Sequence, residues 1–356
     1  MTVMDYNLLK LSNSNANKGL TAFHAALANA GNAQCRIMII GDSVSEGVGA
    51  TSIANRYPNV MLKQLRKQFQ PSTIAGGRGY LPCAWGAFTL IPDPATTSSA
   101  GFDAYYFGLA GRSRGLVSGN SYVWSVNGTS VDIVYPGGPA YGQLYYKIDA
   151  GANVIIDCNK TPEQDYYTTR VSLGTRGAHT VTVGWQSGNP FIDGIVEYDQ
   201  DENAGIVYFD SAHSGYRTTD FTTVTALTPQ IQNINPHLVI IELGGNDAMG
   251  GLSSATVRAN FNTIIGKVRA AAPNASIAVL GVYPTAAAYP AEPWSSYVSN
   301  IYDIAKGDPQ LATVDIYSRM PGVSGDALGL YYDTWHPSDK GHALMGNYVT
   351  SLITPK

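Results

Sequence analysis

Residues 36–50 read RIMIIGDSVSEGVGA. The apolar run at 37–40 has the length of a buried strand, and Gly41-Asp42-Ser43 ends it in a sharp turn before a helical pattern that reaches about Phe69. A buried strand that turns directly into a helix presents its first turn residues at the carboxyl edge of a parallel sheet, where open α/β sheets bind ligands. We therefore expect Ser43 at that edge, close to backbone N–H groups that can stabilise an oxyanion.

The same turn also suits an ordinary helix cap, because Asp and Ser accept hydrogen bonds from N–H groups at helix starts. The rest of the chain has to decide between the two interpretations. Apolar strand patterns recur at 238–243, 277–282 and 313–317, and amphipathic helical patterns alternate with them. This alternation predicts an α/β fold, in which helices cover both faces of a parallel sheet.

A β-rich segment at 101–203 interrupts this alternation. It contains several short strand patterns bounded by Gly, Asn and Asp, which predicts an inserted β-sandwich domain. Asn127-Gly128 lies between two alternating apolar runs and predicts a hairpin turn. The α/β domain would then be discontinuous, formed by 18–100 and 204–356, with an irregular lead-in at 1–17.

Four short motifs carry residue types suited to acyl transfer. They are GDS at 41–43, HSGYRTT at 213–219, GGND at 244–247 and DTWHP at 333–337. His336 supplies an imidazole that can act as a general base for Ser43. Asp333 precedes it by three residues and can bond the far ring nitrogen, which fixes the tautomer and the ring orientation.

These motifs resemble the four blocks of the SGNH (GDSL) hydrolase superfamily, in the same order along the chain. The resemblance covers roughly 20–70 and 205–352 and implies a three-layer, flavodoxin-like fold, to which the insertion would add a jelly-roll-like β-sandwich. It also implies that Ser43, Asp333 and His336 are catalytic. The oxyanion hole that it implies consists of the N–H groups of Ser43 and Gly215 and the side-chain amide of Asn246.

Some site assignments stay open. Gly111, in the sequence GLAGRS, competes with Gly215 as the glycine of the second block. Further residues are expected to orient the catalytic groups or to line the site, namely Asp42, Asp247, His213 and Trp335. Glu46 could pair with Asp333 as the second acid of a glycosidase, but that interpretation explains neither Asn246 nor His336.

Composition restricts the possible partners. The net charge of −4 gives no basic surface for nucleic acid, and no apolar run approaches the roughly 18 residues of a membrane span. The N-terminus lacks the basic-then-apolar pattern of a secretory signal, and the compartment is not predicted. Three widely spaced cysteines without a CxxC motif predict buried free thiols and argue against a zinc site. We expect no metal and no cofactor for the serine esterase that the resemblance implies.

The family resemblance implies a serine esterase that works through an acyl-enzyme. The chain has 23 tyrosines, glycine-rich loops and a β-rich insertion, which suit a carbohydrate partner, and SGNH relatives with β-insertions often deacetylate polysaccharides. The leading hypothesis is therefore an O-acetyl esterase acting on an acetylated glycan, plausibly outside the cell or on a virion. One alternative is a broad aryl or short-chain acyl esterase that takes a small ester substrate. Another is a glycan-binding or receptor-binding protein with an idle hydrolase core; the oligomeric state is not predicted.

Overall fold

A computed structural model describes residues 16–86, 89–98, 102–104, 108–281, 292–323 and 326–355. The predicted lead-in at 1–17 lies outside these ranges except for its last two residues, which begin a short helix. The helices are α1 Ala16–Gly19, α2 Thr21–Ala28, α3 Ser43–Glu46, α4 Tyr57–Phe69, α5 Thr218–Thr223, α6 Leu227–Ile234, α7 Gly245–Met249, α8 Ser254–Ala271, α9 Trp294–Gly307 and α10 Asp339–Ile353. Two short 3₁₀ helices are Ile53–Asn55 and Leu109–Gly111.

The strands belong to three sheets. They are β1 Gln34–Gly41, β2 Gly79–Pro82, β3 Ala95–Thr97, β4 Phe102–Ala104, β5 Ser113–Gly115, β6 Ser121–Gly137, β7 Gly142–Ile148, β8 Val154–Asp157, β9 Gln164–Gly188, β10 Phe191–Ile192, β11 Gly194–Tyr198, β12 Gly205–Ala212, β13 Leu238–Glu242, β14 Ser276–Gly281 and β15 Leu311–Asp315. The sequence patterns did not reveal helices α6 and α9.

The central sheet has the strand order β12-β1-β13-β14-β15, and every pairing in it is parallel. Numbered along the chain, this order is 2-1-3-4-5, the flavodoxin-like arrangement. In such sheets ligands bind beyond the carboxyl ends of the strands, at the point where the strand order reverses. Here that point lies between β1 and β13, so the fold directs attention to the residues that follow these two strands.

The alternation of side chains along β1 explains the three layers. Ile37 and Ile39 pack on one face with helices α2, α4 and α10, whereas Met38 and Ile40 pack on the other with α6, α8 and α9. A strand with both faces buried has to be apolar at every position, which is why 37–40 reads as a continuous apolar run. The predicted three-layer α/β fold is confirmed.

The β-rich part forms a seven-stranded antiparallel sheet and a three-stranded one. The larger sheet has the order β2-β11-β6-β9-β7-β8, with β3 paired to β6. Because β2 and β3 belong to it, this part of the chain begins near Gly79 and not at the predicted residue 101, which itself lies outside the described residues. The jelly-roll-like sandwich stays a prediction.

The larger sheet is shared between two cores. On β11, Ile195 faces a core formed within the β-rich part, whereas Val196 belongs to the same core as Met38 and Ile40 of the central sheet. Tyr80, Val134, Tyr166 and Tyr198 join Val196 on that side. The β-rich part therefore packs on one side of the central sheet and is not a detached module.

The hairpin predicted at Asn127-Gly128 is wrong. Both residues lie inside the continuous strand β6, opposite Ala178 and Gly177 of β9, and the register shifts just after Gly128. A Cβ added to Gly128 would collide with the carbonyl oxygen of Tyr198. Glycine is needed here for a close backbone approach at a strand irregularity, a use that looks the same in sequence as a turn.

Two smaller findings complete the fold. The three cysteines are buried free thiols, as predicted. Within the ranges that the structure describes, no helix is long and apolar enough to cross a membrane.

Candidate active site

The turn after β1 holds Ser43 at the carboxyl edge of the central sheet. Asp42 caps helix α3, because its Oδ1 accepts a hydrogen bond from the Val44 N–H at 3.0 Å. Ser43 is the first residue of that helix and is only 9% exposed. The helix-cap interpretation of the GDS turn is therefore correct, and the same turn holds the predicted nucleophile Ser43 at the edge of the sheet.

Ser43, His336 and Asp333 form one chain of hydrogen bonds. His336 Nε2 lies 3.0 Å from Ser43 Oγ, and His336 Nδ1 lies 2.8 Å from Asp333 Oδ2. Ser43 and His336 are 293 residues apart in sequence. The loop between β15 and α10 brings His336 over the end of β1, next to the strand-order reversal.

Asp333 is held in a form suited to orienting the imidazole. Its Oδ1 accepts the N–H groups of both Trp335 and His336 at 2.7 Å. Partial burial alone would raise the pKa of Asp333, but the His336 ring and these two N–H groups outweigh it and lower the pKa below its ordinary value. The carboxylate is therefore ionised at neutral pH and accepts the Nδ1–H of His336.

A small cavity of about 100 Å³ opens above Ser43. Its lining combines the reactive groups with apolar side chains: Asp42, Ser43, Val44, Glu242, Gly245, Asn246, Met249, Trp294, Trp335 and His336. Trp335 thus lies where the sequence analysis expected a substrate-lining residue. Met249 and Trp294 were not anticipated; a helix missed in the sequence carries Trp294.

Asn246 enters the cavity from α7, directly after β13. Its Nδ2 donates to the Tyr216 carbonyl at 2.9 Å and lies 3.4 Å from Asp42 Oδ2. The first contact is a normal hydrogen bond, whereas the second is long. One amide hydrogen is thus committed to the 213–216 loop, and the other is available to a ligand in the cavity.

The two glycines that compete for the second block differ in their backbone N–H groups. The Gly111 N–H donates to the Gly108 carbonyl at 3.0 Å inside its own 3₁₀ turn. Gly215 has φ +84°, and its N–H has no acceptor among the residues that the structure describes. This difference favours Gly215, although neither glycine lines the cavity within the described ranges.

Asp42 lies against a second buried carboxyl group, Glu242, at the end of β13. The two are hydrogen-bonded, and Glu242 Oε2 also accepts the Ser45 hydroxyl at 2.8 Å. Burial raises the pKa of Asp42 to about 7 and, together with the charge of Asp42, holds the pKa of Glu242 well above its ordinary value. Sequence reasoning missed Glu242, although an acidic residue inside the apolar strand 238–243 was an available signal.

Asp247 and His213 lie beside the cavity and not in its lining. Asp247 is buried, and its Oδ2 accepts the Thr218 N–H at 2.9 Å, which ties the GGND turn to the start of α5. His213 stacks on Tyr216 with ring centroids 3.7 Å apart, and its Nδ1 lies 2.6 Å from the Ala110 carbonyl oxygen. Burial and nearby Arg112 lower the pKa of His213 to about 4, so its ring is neutral at working pH.

Glu46 does not pair with Asp333, contrary to the possibility raised from sequence. Its side chain is fully buried and contacts Gly86, Arg112 and Ser214 instead. The two placed acids that a glycosidase needs are therefore missing from this arrangement. Among the described residues, no group of three or more His, Cys, Asp and Glu side chains could hold a metal ion.

Comparison with known proteins gives one family match and one structural likeness along nearly the whole chain. Residues 180–344 match the model of the GDSL-like lipase/acylhydrolase family, a range that contains Gly215, Asn246, Asp333 and His336. A solved structure described as a peptidoglycan O-acetylesterase in action aligns over 96% of this chain and 95% of its own, with 16% identity and a TM-score of 0.66. That likeness establishes a shared fold along nearly the whole chain.

More distant structures align over shorter stretches. A family two carbohydrate esterase from Clostridium thermocellum covers 67% of this chain and 92% of its own, at 17% identity and a TM-score of 0.35. The psychrotrophic esterase EstA from Pseudoalteromonas covers 42% and 78%, at 21% identity and a TM-score of 0.35. No curated protein matches the sequence significantly. The family match over residues 180–344 and the shared fold agree with the four motifs, and together they support a carboxylic ester hydrolase with the fold of the SGNH (GDSL-like) hydrolases.

Proposed function

We propose that this protein is a serine esterase that removes O-acetyl groups from a glycan through an acyl-enzyme. The observation that carries the proposal is the hydrogen-bonded chain Ser43–His336–Asp333 beneath a small, largely apolar cavity. The mechanism requires neither a metal nor a cofactor.

In this mechanism Ser43 Oγ attacks the carbonyl carbon of the acetyl ester while His336 Nε2 accepts the hydroxyl proton. Asp333 stabilises the imidazolium that forms. His336 then donates the proton to the sugar oxygen as the ester bond breaks, which leaves acetyl-Ser43. Water, deprotonated by His336, attacks the acyl-enzyme, and acetate leaves as Ser43 recovers its proton.

The tetrahedral intermediates place a negative charge on the former carbonyl oxygen. The N–H groups of Ser43 and Gly215 and the second amide hydrogen of Asn246 are the donors that we assign to this oxyanion. Asp42 lies next to Asn246, and a negative charge there would oppose the oxyanion. Its raised pKa and its shared hydrogen bond with Glu242 reduce that opposing charge at neutral pH.

The cavity size supports a short acyl group. The volume at Ser43 is about 100 Å³. An acetyl group fits within such a cavity, whereas a long acyl chain would extend beyond it. Met249 and Trp294 supply an apolar wall against which a methyl group can pack.

Two features support a sugar on the leaving-group side. Trp335 lines the cavity, and Tyr332, three residues earlier in the chain, is 52% exposed, so aromatic side chains lie on the segment that carries Asp333 and His336. The structural neighbour that aligns over the whole chain is described as a peptidoglycan O-acetylesterase. Both features support a carbohydrate substrate and leave the glycan itself open.

The test is acetate release from a panel of acetylated polysaccharides, including O-acetylated peptidoglycan and acetylated xylan, with Ser43→Ala as the control. A series of p-nitrophenyl acetate, butyrate and octanoate measures the acyl-length preference in parallel. We expect Ser43-dependent release from at least one glycan and a steep decline beyond butyrate. Hydrolysis of the small esters alone would favour the broad short-chain esterase, and binding without Ser43-dependent turnover would favour an idle core.

A further inference from the structure

Glu46 is a fully buried carboxylate that the mechanism above does not use. It ends helix α3, one turn after Ser43, where the Gly47 N–H donates to the Ser43 carbonyl at 3.0 Å. Any displacement of Glu46 is therefore coupled to the nucleophile through a single helical turn.

Both oxygens of Glu46 are occupied by groups from distant parts of the chain. Oε2 accepts the Ser214 N–H at 2.7 Å and also the Ser214 hydroxyl. Oε1 accepts the Gly86 N–H and forms a 2.7 Å ion pair with Arg112 Nη2. The carboxylate thereby joins the nucleophile helix to three segments from distant parts of the chain.

The segment at 213–216 is the one that bears on the chemistry. Ser214 is bonded to Glu46 directly before Gly215, and the Tyr216 N–H donates to the His213 carbonyl at 3.1 Å directly after it. The Tyr216 carbonyl accepts from Asn246 at 2.9 Å. Gly215 is thus held between contacts on both sides. The His213 N–H ties the loop to the nucleophile strand by donating to the Gly41 carbonyl at 3.0 Å, and Glu46 ties it to the nucleophile helix at the residue directly before Gly215.

We infer that Glu46 is a positioning residue that holds the Gly215 N–H in register with Ser43, so that both donors meet the same oxyanion; the inference rests on the proposed function. Glu46 touches no substrate. Its effect is on the transition state, because the donors matter most once negative charge develops on the oxygen.

The test compares Glu46→Gln with a matched control, Asp201→Asn. Asp201 is also a buried carboxylate that accepts loop N–H groups, from Gly77 and Asp199, and pairs with an arginine, Arg66 at 3.0 Å, but it lies away from the cavity. With p-nitrophenyl acetate we expect Glu46→Gln to lower kcat about 10–100-fold with KM within about threefold, because a donor displaced by about 1 Å loses much of its effect. Asp201→Asn should keep kcat within about threefold at a comparable loss of thermal stability.

Ser214→Ala keeps the inference testable if Glu46→Gln fails to fold. It removes only the hydroxyl contact with Glu46, and we expect a roughly 3–10-fold lower kcat with KM unchanged. In the Glu46→Gln/Ser214→Ala double variant, the fold-reduction in kcat should be less than the product of the two single reductions, because both substitutions act through the same peptide. A folded Glu46→Gln protein with the parental kcat, or with only KM changed, would overturn the positioning role. Absence of Ser43-dependent hydrolysis in the parent would instead overturn the proposed function.

Discussion

In the mechanism that we propose, Ser43 needs a correctly oriented base on one side and oxyanion donors on the other. His336 is fixed by Asp333, which also receives two N–H groups of its own loop, so the Asp-to-His spacing of three residues makes a compact, self-bonded turn. On the other side, Asn246 belongs to a turn that the central sheet holds in place. Single substitutions at these positions should therefore separate the loss of the base from the loss of the oxyanion donors.

Removal of the nucleophile or of the base should abolish most of the activity. We expect Ser43→Ala and His336→Ala each to lower kcat for p-nitrophenyl acetate by roughly 10⁶, and the double variant to be no worse, because the two residues act as a unit. Initial rates and labelling of Ser43 by a serine-reactive phosphonate provide the measurement. A Ser43→Ala enzyme that kept a tenth of the activity would refute the assignment.

Removal of the side-chain oxyanion donor should have a smaller and more selective effect. We expect Asn246→Ala to lower kcat by about 10²–10³, or about 3–4 kcal/mol, with little change in KM. Asn233→Ala is the control, because the side chain of Asn233 is hydrogen-bonded within its own helix, to the Pro229 carbonyl. If KM alone changed in Asn246→Ala, Asn246 would be a substrate-binding residue instead.

Helices α4 and α10 hold the loop that follows Ser43 in place through hydrogen bonds. His342 of α10 lies 3.1 Å from the Val48 carbonyl oxygen through Nε2, and its Nδ1 accepts the Tyr57 N–H at 3.4 Å. These two contacts need a neutral ring with the proton on Nε2. The buried histidine thereby connects the nucleophile loop, α4 and the helix that follows His336.

This arrangement predicts a pH-dependent stability. Burial lowers the pKa of His342 from 6.5 to about 4, so the unfolded chain binds the proton first as the pH falls. The free energy of unfolding is therefore highest above about pH 6.5 and falls progressively toward pH 4. The loss from His342 is about 2 kcal/mol at pH 5. Urea unfolding at pH 7.5 and pH 5 should show a smaller pH effect in His342→Gln than in the parent; equal pH effects would contradict this.

The strand β6 provides a second prediction at this scale. Gly128→Ala should lower the free energy of unfolding by about 1–3 kcal/mol or more, because the added Cβ meets the Tyr198 carbonyl. Gly266→Ala is the matched control: this glycine lies within α8 with no atom near its missing Cβ, so alanine should stabilise by about 0.5–1 kcal/mol. Equal changes in the free energy of unfolding for the two variants, measured by chemical unfolding, would mean that the close approach of the Tyr198 backbone to Gly128 is unimportant.

For the molecule as a whole, the β-rich part and the hydrolase core are joined by one sheet that contributes a face to each. Ile195 and Val196, adjacent on β11, are both completely buried, one in each core. Tyr166 comes from the middle of the insertion and is nevertheless part of the hydrolase core. Replacing the insertion by a linker would remove this cover and expose apolar surface over the central sheet.

We therefore expect one cooperative unfolding transition. Ile195→Ala should destabilise by about 2–5 kcal/mol and Val196→Ala by less, because fewer carbon atoms are removed, and both should shift the same transition. Differential scanning calorimetry of the parent and the two variants is the measurement. Two separate transitions, with each variant shifting only one of them, would show that the parts fold independently.

Local patterns determined the elements and the reactive residue types. The apolar run at 37–40 predicted the buried strand, and the GDS turn and the closely spaced Asp333 and His336 predicted the candidate nucleophile and base, because the strand, the turn and the Asp–His pair each depend on contacts within a few residues. The tertiary structure alone decided the remainder. Glu46 finds its partners 40 and 168 residues away, and Asn-Gly at 127–128 lies within a strand because the Tyr198 backbone passes close by. The partners of a buried side chain, and whether Asn-Gly forms a turn or part of a strand, depend on which distant segments the fold brings together. The same short sequence is compatible with more than one of these structures.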